Sequence, residues 1–257
     1  MVVADLHVHT TRSDGRLPPE RVGHAARQAG LDAVAITDHD RLPPADAVPD
    51  RDGVRLISGI ELRVETPEQR IDLLGYGVDP TPELTAEINR LQRDRIERAR
   101  AIVSCVESDT GVNLDISVGP GTGRPHIARA IADSAAPYGY QAAFEELIGA
   151  GQPCYVARKI PAYERGRDVL AEACDVLSLA HPLRYDNPRT ALSRAADLDA
   201  VELYYTYDEP VDLAPVTEAI ADNDLLATGG SDAHGQRVGA AGLDRPAFER
   251  VRDRLGE

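Results

Sequence analysis

The chain lacks the segments that a membrane or secreted protein would need. No apolar run among its 257 residues approaches the ~20 residues that cross a bilayer. The amino terminus, MVVADLHVHT, carries a carboxylate and two histidines, so it predicts neither a signal peptide nor a transit peptide. We therefore expect a cytoplasmic protein with no membrane partner.

Cysteine is scarce as well. The chain has three cysteines, Cys105, Cys154 and Cys174, which are widely separated, and it has no CxxC pair. This pattern excludes a thiolate zinc site and predicts no disulfide framework. A chain of this size buries roughly 70–75% of its unfolded surface, so we expect it to fold without a disulfide or a structural metal.

Lysine and large aromatic side chains are rare, and one sign of charge dominates. Lys159 is the single lysine among 28 basic residues, tryptophan is absent, and 43 acidic residues give a formal net charge of −15. Such a surface is typical of adaptation to high salt, although codon bias in a GC-rich genome would also replace lysine with arginine. The negative charge argues against an extended nucleic-acid footprint, which needs many contacts from basic side chains to phosphates.

Short apolar runs alternate with helical patterns at both ends of the chain, which is typical of an α/β fold. The seven predicted strands are Val2–Leu6, Ala33–Thr37, Val54–Ile60, Ile71–Gly75, Val176–Ala180, Ala200–Leu203 and Leu225–Thr228. The alternation predicts parallel pairing with right-handed crossovers. Seven strands fit a closed or nearly closed barrel better than a two-layer sheet.

The middle of the chain breaks this alternation. Apolar residues recur at helical spacing from Leu84 to Val106, and a loop of sequence GPGTGRP (119–125) then precedes two shorter helical patterns. We interpret residues 80–165 as a helical insertion that covers the substrate. It separates a first barrel segment, residues 1–79, from a second, residues 166–257.

Most histidines lie beside acids, glycines or prolines at predicted strand ends or in loops. The clusters are DLHVHTTRSDG (5–15), ITDHD (36–40), GIEL (59–62), RPHIAR (124–129), LAHP (179–182) and GGSDAHG (229–235). His7 and His9 are two residues apart, so both side chains point to the same face of a strand. Parallel barrel strands end at one mouth, and buried His and Asp are costly unless they are paired or bind a metal. The clusters therefore predict a metal site.

These motifs resemble those of the polymerase and histidinol phosphatase (PHP) family over both barrel segments, about 170 residues. The resemblance implies a distorted (β/α)7 barrel with a helical insertion and a trinuclear metal centre. Within the insertion, RPHIARAI and the later AFEELIGAGQPCYV resemble the subgroup of nucleoside 3′,5′-bisphosphate phosphatases and 5′-to-3′ exoribonucleases. The barrel motifs are the more specific of the two.

The resemblance implies ligands for each ion. The first ion would be bound by His7, His9, Glu61 and Asp232, the second by Glu61 as a bridge and by His181, and the third by Asp14, His39 and His234. This agrees with the shared face of the two N-terminal histidines, and with a carboxylate bridging two ions about 3.5–4 Å apart. The implied cofactors are two or three divalent ions, with Mn²⁺ preferred over Fe²⁺ or Zn²⁺.

One position departs from the subgroup. A histidine there commonly follows the bridging glutamate by eleven residues and binds the second ion, whereas this chain has Asp72. Aspartate also binds metals, and as an anionic, harder ligand it would favour Mn²⁺ or Fe²⁺ over Zn²⁺. Two alternatives stay open, namely that the second site is weak and fills only with substrate, or that Asp72 faces solvent.

Four residues of the insertion are candidates for substrate binding. Arg124 and His126 follow the glycine-rich loop at the start of a predicted helix, where a guanidinium fork and helix amides suit a phosphate. The alternative is a capping loop with a packed histidine. Arg158 and Lys159 lie where the insertion rejoins the barrel and would bind a second phosphate, or they form a solvated surface pair.

Three residues of the barrel are the catalytic candidates. Glu61 acts as the bridge, while Asp38 and His234 are neighbouring groups that could pass a proton to the leaving alkoxide. Asp38 precedes a ligand, and we expect it to orient that ligand. Tyr204, Tyr205 and Tyr207 follow a predicted strand near the mouth and would either stack against a base or pack within the fold; the sequence leaves both open.

The leading hypothesis is a metal-dependent phosphatase that hydrolyses a phosphomonoester of a nucleoside 3′,5′-bisphosphate or a short RNA end. The first alternative is a histidinol-phosphate phosphatase, and the second is a non-catalytic metal-binding PHP module. A metal-dependent amidohydrolase is disfavoured, because many of those bridge their ions with a carboxylated strand lysine and the single lysine here lies in the insertion. The expected assembly is a monomer or a small homo-oligomer.

Overall fold

The computed structural model describes residues 1–43, 50–51 and 53–256, and the chain divides into two compact units. The barrel unit comprises Met1–Ala86 and Ile160–Glu257, and the helical unit comprises Glu87–Lys159. The helical unit lies inside the predicted insertion, residues 80–165.

The strands of the described residues form one sheet. They are β1 (Ala4–Val8), β2 (Ala33–Ile36), β3 (Asp50–Arg51), β4 (Val54–Glu65), β5 (Arg70–Tyr76), β6 (Val176–Leu179), β7 (Ala200–Tyr205) and β8 (Leu226–Gly230). Their order is β1-β2-β4-β5-β6-β7-β8, and the two-residue β3 pairs with β4 outside this path. The seven strands of the path correspond to the seven expected from the sequence.

Strands β1 and β8 approach each other and nearly close the sheet. Val8 and Ala233 form a parallel bridge just beyond β8, and the His9 N–H donates to the Ala233 carbonyl at 3.0 Å. Helices pack around this sheet, so the predicted distorted α/β barrel is confirmed.

The prediction of parallel pairing is wrong for β5. This strand is antiparallel to both β4 and β6. A tight turn joins β4 to β5, and in it the Thr66 hydroxyl donates to the Gln69 carbonyl at 2.8 Å. A turn of this length cannot hold the crossover that parallel neighbours require. The signal in the sequence is the absence of a helical pattern between the third and fourth predicted strands.

Helices cover the sheet and form the helical unit. They are α1 (Pro19–Gln28), α2 (Pro82–Thr110), α3 (Arg124–Ala132), α4 (Tyr140–Ala142), α5 (Tyr163–Ala171), α6 (Pro188–Leu192), α7 (Ala214–Asp222) and α8 (Arg245–Arg254). Every residue of β1, β2 and β6 is buried. Strands covered by helices bury both faces, which explains their nearly continuous apolar runs. Each fully buried Leu or Ile stabilises the fold by roughly 1.5–3 kcal/mol.

The helical unit has an apolar core of its own. Ile102 and Val106 of α2 are fully buried against Ile127 and Ile131 of α3. The long amphipathic helix expected from Leu84 to Val106 lies within α2. No helix in the described part of the chain is both long and apolar enough to cross a bilayer.

The expectation of no disulfide is wrong. Cys105, on α2, is bonded to Cys154, and their Cα atoms are 5.5 Å apart. The two residues are 49 positions apart in the sequence, so nothing local links them, and only the packing of the helical unit brings them together. Cys174, in the barrel unit, is the free cysteine of the described chain.

Candidate metal centre

The two N-terminal histidines lie at the end of β1, on one face of the strand. His7 and His9 are fully buried, and their ring centroids are 5.2 Å apart. Gly230, the last residue of β8, approaches His7 so closely that a Cβ at position 230 would collide with the His7 backbone. The glycine therefore lets two strand ends meet at the first ligand.

Glu61, on β4, lies at the centre of four histidines. Its Oε2 is 2.8 Å from His39 Nδ1, 3.2 Å from His9 Nε2 and 3.5 Å from His7 Nε2. Its Oε1 is 3.2 Å from His181 Nε2. One buried carboxylate thus faces imidazoles from three parts of the barrel, as a bridging ligand would.

Three groups of side chains bring their donor atoms within 4.8 Å of one another. The groups are His7, Glu61 and His181; His7, His9 and Asp232; and His9, Asp14, His39 and His234. They contain every ligand predicted from the sequence except Asp72. Because neighbouring groups share His7 or His9, the three groups form one continuous cluster.

The third group lies at the more open end of the cluster. His234 Nε2 is 3.3 Å from Asp14 Oδ1, and the His234 side chain is 40% exposed, whereas His7 and His9 are fully buried. The rings of His9 and His234 stack with centroids 4.3 Å apart. Solvent therefore reaches this end of the cluster most directly.

Asp38 fastens the loop that leads to Asp14. Its Oδ1 accepts hydrogen bonds from the Thr10 backbone at 2.7 Å and from the Ser13 hydroxyl at 2.6 Å. Its Oδ2 accepts from the Thr10 hydroxyl at 2.6 Å. Asp38 thus holds the loop that carries Asp14 and does not itself belong to the three groups.

Two ligands have backbone conformations that side chains rarely adopt. The φ angle is 29° at His181 and 50° at Asp232. Such left-handed conformations cost about 1–2 kcal/mol and persist at functional sites where the surroundings hold them. Here the Asp232 Oδ2 accepts from Arg184 Nη1 at 2.8 Å and from the Tyr205 hydroxyl at 2.9 Å.

Glu202 holds two of the ligands, and sequence reasoning missed this role. Its Oε1 is 3.0 Å from His7 Nδ1, and its Oε2 accepts from the His181 backbone N–H at 2.7 Å. A carboxylate on the second ring nitrogen fixes the tautomer and orientation of a metal-binding histidine. The signal in the sequence is an acidic residue inside the apolar strand AVELYY, where Glu202 is fully buried.

The donor atoms fit divalent cations. Within the described chain, five buried donor atoms of the cluster have no hydrogen-bond partner. They are His7 Nε2, His9 Nε2, His39 Nδ1, Asp14 Oδ1 and Glu61 Oε2. Leaving such an atom unsatisfied costs roughly 1–3 kcal/mol. Imidazole nitrogens and carboxylate oxygens that converge without bonding one another have the arrangement of ligands around ions.

Charge around the cluster also favours cations. Burial alone would lower the pKa of His9, but the nearby carboxylates of Asp232 and Glu61 outweigh it and raise the pKa to about 10. Burial would raise the pKa of Glu61, yet the positive charges of His39 and His7 hold that pKa well below its usual range. The carboxylates therefore stay ionised and attract positive charge.

Asp72 lies beside the cluster, in a bidentate ion pair. Its two oxygens accept from Arg63 Nε at 2.8 Å and Nη2 at 2.6 Å, and the closer approach to His181 Nε2 is 3.9 Å. Burial alone would raise the pKa of Asp72, but the guanidinium of Arg63 lowers it. Asp72 is also fully buried, so it does not face solvent.

The predicted substrate-binding residues all belong to the helical unit. Arg124 is the first residue of α3, and its Nη1 donates to the Ile148 carbonyl at 3.3 Å. His126 Nδ1 accepts from the Gly123 N–H at 3.1 Å, so this histidine caps the helix.

The other two residues lie at the end of the helical unit. Lys159 is exposed, and its backbone N–H donates to Asp94 Oδ2 at 3.1 Å. Arg158 is half-buried. The eight clustered candidate ligands, in contrast, all belong to the barrel unit.

The three tyrosines after β7 differ in their surroundings. The Tyr205 hydroxyl donates to Asp232, and the Tyr207 hydroxyl accepts from the Leu183 N–H at 3.4 Å. Tyr204 is exposed over about two-fifths of its surface. Tyr205 thus holds the carboxylate of Asp232, a candidate ligand, in place. Neither stacking against a base nor packing within the fold, the two roles expected from the sequence, included this contact.

A nearly closed barrel with histidines and carboxylates clustered at its strand ends defines an α/β-barrel protein whose side-chain clusters are able to bind metal ions. The sequence profile of the PHP domain matches residues 5–178, which is more than half of the chain. The chain belongs to the PHP domain family.

Similar proteins act on phosphate esters. The chain is 29% identical over 250 residues to a 3′,5′-nucleoside bisphosphate phosphatase of Chromobacterium violaceum, covering 91% of this chain and 88% of that one. It is 29% identical over 251 residues to the 5′-3′ exoribonuclease Rnm of Escherichia coli, covering 91% and 85%. A solved structure from Bifidobacterium adolescentis, described as a metal-dependent phosphoesterase, superimposes with a TM-score of 0.84 at 26% identity, covering 98% and 96% of the two chains.

Proposed function

We propose that this protein is a metal-dependent phosphatase that hydrolyses a phosphomonoester of a nucleoside 3′,5′-bisphosphate or of a short RNA end. The observation that carries the proposal is the position of Glu61 among four histidines, because a buried carboxylate in such surroundings suits a bridge between ions. The named relatives support the substrate class.

Eight residues would hold two or three divalent ions. They are His7, His9, Asp14, His39, Glu61, His181, Asp232 and His234. The mixture of imidazoles and several carboxylates favours Mn²⁺, with Fe²⁺ or Zn²⁺ as alternatives. When bound, divalent ions supply a hydrolytic nucleophile at neutral pH and neutralise charge on the reacting phosphoryl group.

The protein's own residues would orient these donors and move the proton. Glu202 holds the His7 ring and the His181 backbone, and Asp38 holds the loop that carries Asp14. His234, at the open end of the cluster, would give a proton to the leaving alkoxide only in a state in which its ring does not hold an ion. Catalysis thus depends on side chains held by buried neighbours.

The helical unit would supply substrate recognition. We assign this role to Arg124 first, since it opens a helix and offers a guanidinium fork to a phosphate. His126, Arg158 and Lys159 are the further candidates. A small substrate with two phosphate groups also suits the acidic chain better than a long nucleic acid does, because the net charge of the chain is −15.

The acidic composition also bears on the environment. We propose a cytoplasmic protein that works at high salt, where a hydrated acidic surface maintains solubility. The proposed assembly is a monomer or a small homo-oligomer.

A phosphate-release screen tests the proposal. The purified protein is loaded with Mn²⁺, Fe²⁺ or Zn²⁺ and assayed, at low and at high KCl, with adenosine 3′,5′-bisphosphate, histidinol phosphate, AMP and a short 5′-phosphorylated RNA. We expect the highest kcat/KM with the bisphosphate or the RNA. A preference for histidinol phosphate would identify the alternative phosphatase, and no release from any ester would leave a non-catalytic metal-binding protein.

A further inference from the structure

Asp5 is a carboxylate of β1 that belongs to none of the three groups of candidate ligands. It is fully buried, and its two oxygens accept four hydrogen bonds. Its Oδ1 accepts from the backbone N–H groups of His7 at 3.2 Å and of Ser231 at 2.9 Å. Its Oδ2 accepts from the Ser231 hydroxyl at 2.6 Å and from the Gly239 N–H at 2.7 Å. One side chain of the first strand thus holds a segment near the other end of the chain.

The segment that Asp5 holds, residues 231–239, carries two of the candidate ligands. Asp232 and His234 follow closely after its first residue, Ser231. Asp232 has a left-handed backbone, with φ at 50°, and such a conformation relaxes unless its surroundings hold it. Asp5 binds both the N–H and the hydroxyl of Ser231, so it restrains the residue from which the chain enters this conformation.

The far end of the segment is bound by the same carboxylate oxygen. Gly239, whose φ is 81°, directs its N–H at Oδ2 of Asp5, as the Ser231 hydroxyl does. A glycine adopts this left-handed conformation without steric cost. Because both ends of the segment meet at one oxygen, the positions of the side chains between them depend on a single buried carboxylate.

We propose that Asp5 is a positioning residue, which places Asp232 and His234 where an ion can be bound. Neighbours that orient a ligand contribute strongly to the affinity for its ion, because the ligand atom must lie at a fixed distance. Asp5 restrains the backbone that carries its ligands, whereas Glu202 also bonds a ligand ring. The binding of an ion by Asp232 and His234 rests on the proposed function, whereas the restraint of the segment by Asp5 does not.

The first experiment measures amide hydrogen exchange in the whole, EDTA-treated chain, where no bound ion contributes. Asp5→Asn keeps the size of the side chain, but an amide has one acceptor oxygen, so at least two of the four hydrogen bonds are lost. We expect exchange in residues 231–239 to become about tenfold faster, and exchange in α8 to stay at the wild-type rate. Equal exchange of the segment in the two proteins would overturn the proposal.

The second experiment measures Mn²⁺ affinity by competition with a chelating dye, well below the Tm of each variant. We expect Asp5→Asn to lower the affinity roughly 10–100-fold. Ser231→Ala removes one of the four bonds, so its loss should be smaller, and it replaces Asp5→Asn if that variant does not melt cooperatively.

Ser178→Ala is the matched control for Ser231→Ala. Ser178 lies outside the segment, on β6, and its buried hydroxyl bonds to the Thr228 hydroxyl at 2.7 Å. This control should keep the wild-type Mn²⁺ affinity. A residue that only stabilises the fold would lower Tm and leave the affinity of the folded protein unchanged, so wild-type affinity in both Asp5→Asn and Ser231→Ala would overturn the positioning role.

A variant with both Asp232→Ala and His234→Ala tests the route of the effect. It lacks the two side chains that the segment supplies, so adding Asp5→Asn should not lower the affinity for the remaining ions any further. A further tenfold loss would show that Asp5 acts through the His7 backbone and would overturn the proposed route. Failure of the wild type to bind Mn²⁺ would reject the proposed function, while the exchange experiment would still decide whether Asp5 restrains the segment.

Discussion

The barrel unit and the helical unit collect side chains of opposite character. In the barrel unit, imidazoles and carboxylates meet at strand ends, and the most central of them, His7, His9 and Glu61, are at most 1% exposed. In the helical unit, guanidinium groups meet beside a helix terminus and a loop, and Arg98 and Arg124 are half-buried. One unit therefore gathers donor atoms of the kind that bind cations, and the other gathers positive charge.

Under the proposed function, this difference divides the chemistry between hydrolysis and recognition. Hydrolysis needs donors fixed to a fraction of an ångström, and buried strand ends that neighbouring carboxylates hold in place provide this. Recognition of a phosphate tolerates more freedom, because a guanidinium can approach its oxygens from several directions. Substitutions in the barrel unit should therefore reduce metal binding and turnover, whereas those in the helical unit should change affinity for particular substrates.

The largest effect should follow from Glu61→Gln. The change keeps the shape of the side chain but removes the charge that faces four histidines, so it weakens more than one ion site. We expect kcat/KM to fall more than about 100-fold, which exceeds the effect typical of residues that only support ligands. Bound Mn²⁺ per chain, measured by mass spectrometry after gel filtration, should fall as well.

His234→Asn is the comparison for this variant, because His234 belongs to one group at the open end of the cluster. Its loss in activity should be smaller than that of Glu61→Gln. Wild-type turnover and metal content in Glu61→Gln would exclude a bridging role.

Glu202→Gln should have the next largest effect. An amide has one acceptor oxygen, so it can no longer accept both from the His7 ring and from the His181 backbone N–H. We expect Mn²⁺ affinity, measured by competition with a chelating dye, to fall roughly 10–100-fold. Glu218→Gln, an exposed position on α7, is the matched control and should match the wild type. Unchanged affinity in Glu202→Gln would mean that packing alone orients His7.

Spacing and strand ends were sufficient to predict most of the clustered residues, and the resemblance to the PHP family added Asp14 and completed the eight. His7 and His9 share a face because strand side chains alternate, and Glu61 and Asp232 lie at strand ends that a barrel must bring to one mouth. Local spacing and one topological rule therefore determine most of the centre.

Contacts between distant parts of the chain could not be predicted in this way. The antiparallel direction of β5, the Cys105–Cys154 bond, and the hydrogen bond from Arg98 to the Val156 carbonyl depend on packing that local pattern does not encode. Glu202 is an intermediate case, because a buried acid in a strand signals a partner without naming it.

The smallest effect should come from Asp72→Asn, which changes a carboxylate of the barrel unit that lies beside the cluster. Both oxygens of Asp72 are bound to Arg63, so the carboxylate is already neutralised by a neighbour rather than by an ion. We expect the metal content per chain to stay within about threefold of the wild type, while Tm falls because Arg63 loses its buried partner. Loss of one ion per chain would instead make Asp72 a ligand.

Arg63→Gln tests the same pair from the other side. Without the guanidinium, the Asp72 carboxylate is free to act near His181, whose Nε2 lies 3.9 Å away, so Mn²⁺ affinity should rise. Arg70→Gln is the matched control, because Arg70 pairs with Glu65 at 3.1 Å on the same hairpin but both side chains are exposed. An exposed pair of this kind contributes only ~0–1 kcal/mol, so this control should change neither metal affinity nor Tm appreciably. A rise in Mn²⁺ affinity confined to Arg63→Gln would show that Arg63 weakens the second ion site of this chain. A fall in Mn²⁺ affinity would show instead that Arg63 holds Asp72 in place as a ligand.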